Sequence, residues 1–264
     1  PCFRHEDGRA DRSPGEHYQL DLEMSFVEQE DIFSTTEPIF FDLFTKFTKG
    51  KKISKTPFKR ITFKESMLKY GTDKPDLRIP IEISDVTNIF KSDEIKLEIF
   101  KKQINKNSIV RAIPVKNTKD KPRSFFDNLN EWAKLEGAGG LAYISLIKSK
   151  NSFKANGPIG KFFTEKALNE LIKKCKISDG DSLFFICDKQ KIAERISGLS
   201  RQKIAKELKL IKENVFEFCW ITDFPLYQYD EDLKKIDFSH NPFSMPNIKY
   251  EDFDKEDPLN ILAK

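Results

Sequence analysis

The sequence predicts an α/β fold on two observations. First, three short apolar segments have the length and composition of buried strands, namely IVRAIPV, LAYISLI and SLFFIC. Second, a longer segment of helical character follows each of them, namely SFFDNLNEWAKLEG, FTEKALNELIKKCK and KQKIAERISGLSRQKIAKELKL. This repeated alternation over roughly 91–214 predicts a compact α/β unit of its own.

A hairpin is predicted at the start of the chain. Polar and apolar residues alternate in HYQLDLEMSFV, which is the period of a strand with one buried face. The shorter PCFRHE also alternates, and the stretch between the two segments is rich in Gly and Pro. We therefore expect two antiparallel strands joined by a loop.

Two helices and a connector are expected next. Over 31–49 apolar residues recur at helical spacing, and Pro38 is expected to start or kink that helix. In TFKESMLKY the spacing of Thr62 and Glu65 is that of a capping box, and Gly71 is placed to end the short helix. The stretch GTDKPDLRIP then predicts an ordered, turn-rich connector. Near the end of the chain, VFEFCWITDFPLYQYD returns to strand character and DFSHNPFSMP predicts an ordered loop.

The composition limits the class of protein. Of 264 residues, 46 are basic and 42 acidic, and the net charge of +4 allows a polyanionic partner without requiring one. No apolar run approaches the ~20 residues that span a bilayer, and no signal peptide opens the chain. The four cysteines form no Cys-x-x-Cys pair, so we expect reduced, buried thiols in a soluble cytoplasmic protein. The missing initial Met favours a fragment of a longer protein.

The predicted hairpin carries an unusual set of charges. If its strands pair, Arg4, Glu6, Asp21 and Glu23 share one sheet face. Such residues usually form solvated ion pairs of small energetic value. The alternative is a binding site, because the guanidinium fork suits phosphate oxygens and a carboxylate accepts from an adenine amino group or an ammonium.

At these residues the chain resembles a known family. CFRHEDGRADRSPGEHYQLDLEMSF is similar to motif 2 of the bacterial-type aspartyl-tRNA synthetases, which are class II aminoacyl-tRNA synthetases. YGTDKPDLR, WITDFPLYQYD and FSHNPFSMP resemble further stretches of the same enzymes, in the same order. The α/β unit among them is similar to the insertion domain of the bacterial form, which is shared with an amidotransferase subunit. Several separated matches over nearly the whole chain make the resemblance specific.

The resemblance implies roles for individual residues. Arg4 corresponds to the catalytic arginine of motif 2, which holds the ATP α-phosphate and the amino acid carboxylate. Glu6 corresponds to the glutamate that meets the adenine amino group, and His5 lies between them in the ATP-binding segment. Asp21 corresponds to the acidic residue that receives the ammonium group of aspartate, and His240 to a histidine near the aspartate side chain.

The loop of the hairpin carries two further candidates, and the chain departs from the family pattern at three positions. Arg9 and Arg12 lie where the family approaches the acceptor end of the tRNA. Ser13 stands where many relatives have glutamine, His17 replaces the phenylalanine that commonly stacks on adenine, and Asn241 replaces a second histidine. No role is carried over to these last three residues.

The implied function is that of an aspartate–tRNA ligase. Such an enzyme activates aspartate with ATP and Mg²⁺, and transfers the aspartyl group from the adenylate to tRNA(Asp). The sequence leaves open whether tRNA(Asn) is a second substrate. The resemblance also implies a homodimer, and it implies no metal ligand in this sequence because the family supplies those ligands downstream.

The implied fold is part of the class II catalytic domain, an antiparallel sheet with flanking helices, interrupted by the α/β insertion domain. Residues 1–90 and 215–264 are then expected to pack together as the catalytic domain, and 91–214 to form the insertion domain. The family's anticodon-binding barrel and its first and last motifs are missing from this sequence. The chain by itself is therefore expected to be inactive.

Other classes of function stay open. A non-catalytic tRNA-binding relative of the synthetase is expected to lose Arg4 or Asp21, and this sequence has both. A component of a tRNA-dependent amidotransferase shares only the insertion domain, so the hairpin and SHNPF disfavour it. Synthetases for asparagine or lysine have a related motif 2, but not the insertion together with YGTDKPDLR.

Overall fold

The computed structural model describes residues 2–8, 15–149, 152–230, 233–239 and 243–264. The strands in these residues are β1 (Phe3–His5), β2 (Glu16–Tyr18), β3 (Lys52–Ile53), β4 (Lys59–Thr62), β5 (Ser84–Asp85), β6 (Ile109–Val115), β7 (Ala142–Ser149), β8 (Ser152–Asn156), β9 (Ser182–Asp188), β10 (Val215–Phe216), β11 (Cys219–Thr222), β12 (Tyr227–Asp230) and β13 (Lys235–Phe238). The α-helices are α1 (Gln29–Phe47), α2 (Phe63–Tyr70), α3 (Thr87–Lys91), α4 (Glu98–Ile104), α5 (Arg123–Leu135), α6 (Glu165–Cys175) and α7 (Gln190–Glu207). Short 3₁₀ helices are Gly160–Phe162, Tyr250–Lys255 and Pro258–Asn260.

A five-stranded sheet with the order β5-β6-β9-β7-β8 forms the centre of the α/β unit. All neighbouring strands are antiparallel, so β6 and β7 run in the same direction and α5 connects them. The three strands predicted from the apolar segments are β6, β7 and β9, and the helices predicted after them are α5, α6 and α7. The α/β prediction is confirmed for this part of the chain.

Helices cover both faces of this sheet, which explains why its three central strands, β6, β9 and β7, are mostly apolar. On β9, Phe184 belongs to a cluster with residues of α5 and α7, whereas Phe185 belongs to a cluster with residues of α3, α4 and α6. Successive strand residues point to opposite faces, so each of the two phenylalanines is buried under a different helical layer. Neither ring is exposed to solvent.

The core of this unit begins before residue 91. Ile79, Ile81 and Ile83 pack in the same cluster as α5 and α7, and β5 pairs with β6. The division of the chain at 1–90, 91–214 and 215–264 stays a prediction. These contacts favour a lower limit of the α/β unit nearer residue 79.

Two pairs of parallel strands join the segments on either side of the α/β unit. β3 pairs with β10, and the four residues of β4 lie opposite the four residues of β11 in order. Helix α1 lies against these pairs through aromatic rings, with Phe33 stacked on Trp220 at 4.3 Å and Phe44 edge-on to Phe218 at 4.8 Å between ring centroids. Residues before and after the α/β unit therefore pack together, and aromatic rings supply much of the contact.

Helix α1 contains Pro38, and α2 has the predicted residues at both of its ends. Helix α1 begins at Gln29, and Pro38 lies inside it instead of starting it. The capping interaction of α2 is present, because the Thr62 hydroxyl accepts from the Glu65 amide at 3.1 Å. Gly71 ends α2 with φ +68°, a left-handed conformation that favours glycine.

The strand predicted from HYQLDLEMSFV is mostly wrong. Only Glu16–Tyr18 forms a strand, and residues 19–27 belong to no strand in the described part of the chain. The apolar face of the alternation is exposed, with Leu20 76% accessible. Alternation identifies a strand face, but a strand also needs a partner for its backbone groups.

The cysteines are free thiols, as expected, but only Cys175 is buried. Burial raises the pKa of the Cys175 thiol to about 11. Cys187 and Cys219 are half-buried and Cys2 is exposed, which corrects the expectation of buried thiols. Within the described residues no helix has the length and hydrophobicity needed to cross a membrane.

A buried carboxylate joins α1 to the paired strands. Glu37 is 4% exposed and accepts hydrogen bonds from the Arg60 guanidinium, from Trp220 Nε1 at 2.8 Å and from the Phe58 amide at 3.0 Å. Burial alone would raise the pKa of this carboxyl, but the three donors together hold the pKa below its ordinary value of 4.5. The charged form of Glu37 therefore stabilises the fold.

We predict that Glu37→Gln lowers the melting temperature at pH 7 by roughly 5 °C, because a charge-assisted contact in a buried site is lost. Since the folded-state pKa is depressed, this stabilisation is present above about pH 4.5 and disappears as the pH falls through the lower folded value. Thermal unfolding from about pH 3 to 7 measures it, with Glu30, the exposed partner of Arg60, changed to Gln as control. A constant difference between Glu37→Gln and the unchanged protein at every pH would contradict the assignment.

Candidate functional site

The hairpin predicted at the start of the chain is present in the described residues. β1 and β2 are antiparallel, with Arg4 opposite His17 and His5 opposite Glu16. Backbone hydrogen bonds extend the pairing at both ends, from the Gln19 amide to the Cys2 carbonyl and from the Glu6 amide to the Gly15 carbonyl. This pairing brings the two charged segments side by side.

A chain of side chains connects Arg4 to Asp21. Arg4 Nε donates to Gln19 Oε1 at 2.8 Å, and Gln19 Nε2 donates to an Asp21 carboxylate oxygen. Arg4 and Asp21 therefore lie on the same side of the hairpin, as predicted, although Asp21 is not part of a strand. Arg4 is exposed, and the described residues give its terminal nitrogens no hydrogen-bond partner. The amide of Gln19 thus links a guanidinium to a carboxylate.

The other predicted residues of the hairpin are less constrained. His5 is exposed, with Nδ1 3.3 Å from Glu16 Oε1, and Glu6 contributes only a backbone contact to the hairpin among the described residues. In that part of the chain, the hydrogen bonds and ion pairs of residues 2–24 stay within the hairpin. The remaining residues singled out from the sequence lie outside the described residues, namely Arg9, Arg12, Ser13, His240 and Asn241.

A cleft of about 430 Å³ lies where three of the family-like segments meet. Asp73 and Lys74 come from the connector after α2, and Thr222 and Asp223 come from the end of β11 and the turn after it. Ser244 comes from the loop near the end of the chain. The cleft therefore brings together residues from YGTDKPDLR and WITDFPLYQYD with Ser244 of the third segment, although they are far apart in sequence.

Two pairs of neighbouring side chains interact in the wall of the cleft. Lys74 Nζ lies 2.7 Å from the Asp73 carboxylate, and the Thr222 hydroxyl donates to Asp223 Oδ2 at 2.9 Å.

The last residues of the chain tie two loops of the cleft together. The Leu226 amide donates to the Ile261 carbonyl at 2.9 Å, and the Asn247 amide donates to the Leu262 carbonyl at 2.8 Å. The turn after β11 and the loop that carries Ser244 are thus joined to one common segment.

The cleft residues were not among the candidates predicted from the sequence. Several of them lie inside the segments that carry the family resemblance, including Asp73, Lys74, Asp223 and Ser244. The sequence alone does not show that these residues are neighbours in the fold. The sequence signal that could have identified them is the presence of polar residues in each of the segments that resemble the family. The cleft combines carboxylates and ammonium groups, with Lys264 at its edge, so a ligand that carries both signs of charge suits it.

The described residues contain no group of three or more His, Cys, Asp or Glu side chains arranged to hold a metal ion. The acidic residues of the cleft, Asp73 and Asp223, interact with Lys74 and Thr222.

Comparison with known proteins identifies the class to which this fold and site belong. The family model for class II tRNA synthetases (D, K and N) matches residues 1–263. The chain belongs to this family.

Individual relatives within this family are highly similar to the chain. The chain is 57% identical over 263 residues to the aspartate–tRNA(Asp/Asn) ligase of Pelagibacter ubique, and the match covers 100% of this chain and 44% of the relative. It is 58% identical over 246 residues to the ligase of the same name from Rickettsia canadensis, covering 93% of this chain and 40% of the relative. The chain thus spans less than half the length of these curated relatives.

The backbone conformation of Asp223, in the cleft wall, can be tested by substitution. Its φ of +57° is left-handed, a region that Asp and Asn tolerate and β-branched residues do not. We predict that Asp223→Asn keeps the melting temperature within about 2 °C, whereas Asp223→Val lowers stability by about 1–2 kcal/mol. Thermal unfolding of both variants decides this, and equal losses would show that the carboxylate, rather than the backbone, carries the effect.

Proposed function

We propose that this chain is the central part of an aspartate–tRNA ligase that charges both tRNA(Asp) and tRNA(Asn). The observation that carries the proposal is the hairpin, in which Gln19 joins the exposed guanidinium of Arg4 to the Asp21 carboxylate. An amino acid presents a carboxylate and an ammonium, and ATP presents phosphate oxygens, so one cation and one carboxylate side by side suit both substrates. The names of the relatives support aspartate and the two tRNAs.

Arg4 is assigned the role of the catalytic residue that contacts the reacting groups of both substrates. Its terminal nitrogens bind the α-phosphate of ATP and the aspartate α-carboxylate, while Asp21 receives the aspartate ammonium. Glu6 and His5 belong to the ATP-binding segment, with the Glu6 carboxylate accepting from the adenine amino group. His240 is assigned to the aspartate side chain.

The cleft is assigned to the side-chain carboxylate of aspartate, while Arg4 and Asp21 of the hairpin take the α-carboxylate and the ammonium group. Lys74 offers an ammonium to a substrate carboxylate, and Thr222 and Ser244 offer hydroxyl groups. Asp73 and Asp223 make the charge of the cleft less positive, so a singly anionic carboxylate suits it better than a polyphosphate. This assignment places amino acid recognition on residues from three separate segments.

The chemistry needs no protein base in its first step. An oxygen of the aspartate α-carboxylate attacks the α-phosphorus of ATP. The bond between the α-phosphorus and the bridging oxygen to the β-phosphate breaks, and pyrophosphate leaves. Arg4 stabilises the charge that builds on the α-phosphate, and alignment of the two substrates supplies much of the acceleration. In the second step the terminal ribose hydroxyl of the tRNA attacks the aspartyl carbonyl carbon, the bond from that carbon to the AMP phosphate breaks, and AMP and the hydroxyl proton are released.

Further parts of the proposal concern the whole enzyme. ATP would be used together with Mg²⁺, and protein ligands for this ion would come from outside this sequence, where the family supplies them. Arg9 and Arg12 contact the acceptor end of the tRNA. The enzyme is a cytoplasmic homodimer in which 1–90 and 215–264 belong to the catalytic domain and 91–214 to an insertion. The parallel strand pairs support the first two of these ranges packing as one unit.

We predict aspartate-dependent exchange of pyrophosphate into ATP by the full-length protein, without exchange in the presence of asparagine. Charging assays with each tRNA should give aspartyl-tRNA(Asp) and aspartyl-tRNA(Asn) at comparable rates. Exchange with charging of tRNA(Asp) alone would restrict the substrate to one tRNA. A folded protein that binds tRNA but shows no exchange would instead support the non-catalytic relative.

We predict that Arg4→Ala in the full-length protein lowers the exchange rate by about 10²–10³, because one contact to the developing charge is removed. Arg123→Ala is the matched control, since Arg123 is an exposed arginine at the start of α5 with a solvated ion pair to Asp127. That control should stay within about twofold of the unchanged enzyme. An exchange rate within about tenfold of normal in Arg4→Ala refutes the assignment of Arg4.

A further inference from the structure

Arg201, in α7, is buried in the contact between the α/β unit and the connector after α2. Its exposure is 0%, although arginine is among the residues least often buried completely. Its Nε donates to the Ile81 carbonyl at 2.6 Å, and its Nη2 donates to the Asp76 and Ile79 carbonyls at 2.9 Å each. One guanidinium thus holds two carbonyls of the connector and the carbonyl of Ile81, just after its end.

Burying the Arg201 guanidinium costs free energy, because the cation loses its contact with water. No carboxylate lies within ion-pair distance of Arg201 among the described residues, and its Nη1 has no hydrogen-bond partner there. Burial lowers the pKa of Arg201, which shows how poorly solvated the cation is. The ring of Tyr70, at the end of α2, lies 4.9 Å from the guanidinium carbon and offers its face to it. The cation is therefore compensated mainly by backbone carbonyls and one aromatic face.

Beside Arg201, the backbone of α7 also contacts the backbone at the start of the connector. Gly198, one turn earlier on α7, lies against Gly71 so closely that a Cβ added at 198 would be 2.6 Å from the Gly71 carbonyl oxygen. A Cβ at Gly71 would in turn overlap the backbone of Glu194 and Gly198. Neither position has room for a side chain, so α7 and the start of the connector are held in one arrangement.

The connector leads from this contact directly into the cleft. Asp73 and Lys74 line the cleft, and they lie between Gly71 and the three carbonyls that Arg201 binds. The Thr72 carbonyl is also held, by the Ser66 hydroxyl at 2.7 Å. The two cleft residues are therefore supported on both sides, by α2 and by α7.

We propose that Arg201 is a positioning residue for the substrate cleft: through the carbonyls of Asp76, Ile79 and Ile81 it fixes the connector and the residue after it, and the connector presents Asp73 and Lys74. This gives the α/β unit a role in aspartate binding without contact to the substrate. The inference rests on the proposed function only where it concerns substrate, since the mechanical coupling is independent of the reaction.

The test compares two buried arginines in the full-length protein. Arg201→Met removes the donors to the connector while keeping a side chain of similar length. Arg111→Met is the matched control, because Arg111 is 5% exposed, also has a buried nitrogen without a partner, and pairs with Asp85 and Glu194 instead of the connector. Gly198→Ala provides a second variant at the same contact, in case Arg201→Met fails to fold.

Two readouts separate positioning from stability. Hydrogen–deuterium exchange of the peptide that covers 72–81 should become about tenfold faster or more in Arg201→Met and Gly198→Ala, and should be unchanged in Arg111→Met. In pyrophosphate exchange, the KM for aspartate should rise about tenfold or more in the first two variants, with kcat within about threefold. Arg201→Lys, which keeps the charge but fewer donors, should recover part of the KM.

Each outcome bears on the proposal. Unchanged deuterium exchange at 72–81 in both Arg201→Met and Gly198→Ala overturns it, as does an equal rise of KM in Arg111→Met. If the unchanged enzyme shows no pyrophosphate exchange, the proposed function fails, and deuterium exchange alone still decides whether Arg201 holds the connector.

Discussion

The parallel pairing of β4 with β11 is the constraint on which the rest of this structure depends. It joins residues on either side of the five-stranded unit, and the aromatic contact of Phe33 with Trp220 covers it from α1. The turn after β11 and helix α2, which leads to the connector, then start from adjacent strand ends. The cleft is lined by that turn and that connector, so it depends on the pairing that brings them together.

Three buried charges lie at contacts between elements of the described structure. Glu37 joins α1 to β4 and β11, Arg111 joins β6 to β5 and α7, and Arg201 joins α7 to the connector. Each of them needs hydrogen-bond partners from several segments at once, because an unpartnered buried charge is costly. Apolar contacts tolerate small shifts between elements, whereas such hydrogen bonds require one geometry.

Sequence patterns predicted the α/β unit well, because β6, β7 and β9 are largely buried and the helices after them are long. They also predicted the Thr62 cap and Gly71, which depend on neighbours along the chain. They failed where a partner is needed, as for residues 19–27, whose alternation finds no adjoining strand among the described residues. Of the site, the placement of Arg4 and Asp21 on one side could be predicted from alternation. The cleft could not, because its residues meet only through the pairing of distant strands.

The connection from β4 to β11 has a thermodynamic consequence. Parallel strands need a crossover of about a dozen residues at least, and here residues 63–218 serve as that crossover. Closing a flexible loop costs entropy only logarithmically in its length, so a roughly tenfold longer connection costs about 2 kcal/mol more. A folded unit inside the crossover shortens the flexible length further. The chain can therefore carry a whole second hydrophobic core between two adjacent strands at a cost comparable to the gain from burying one large apolar side chain.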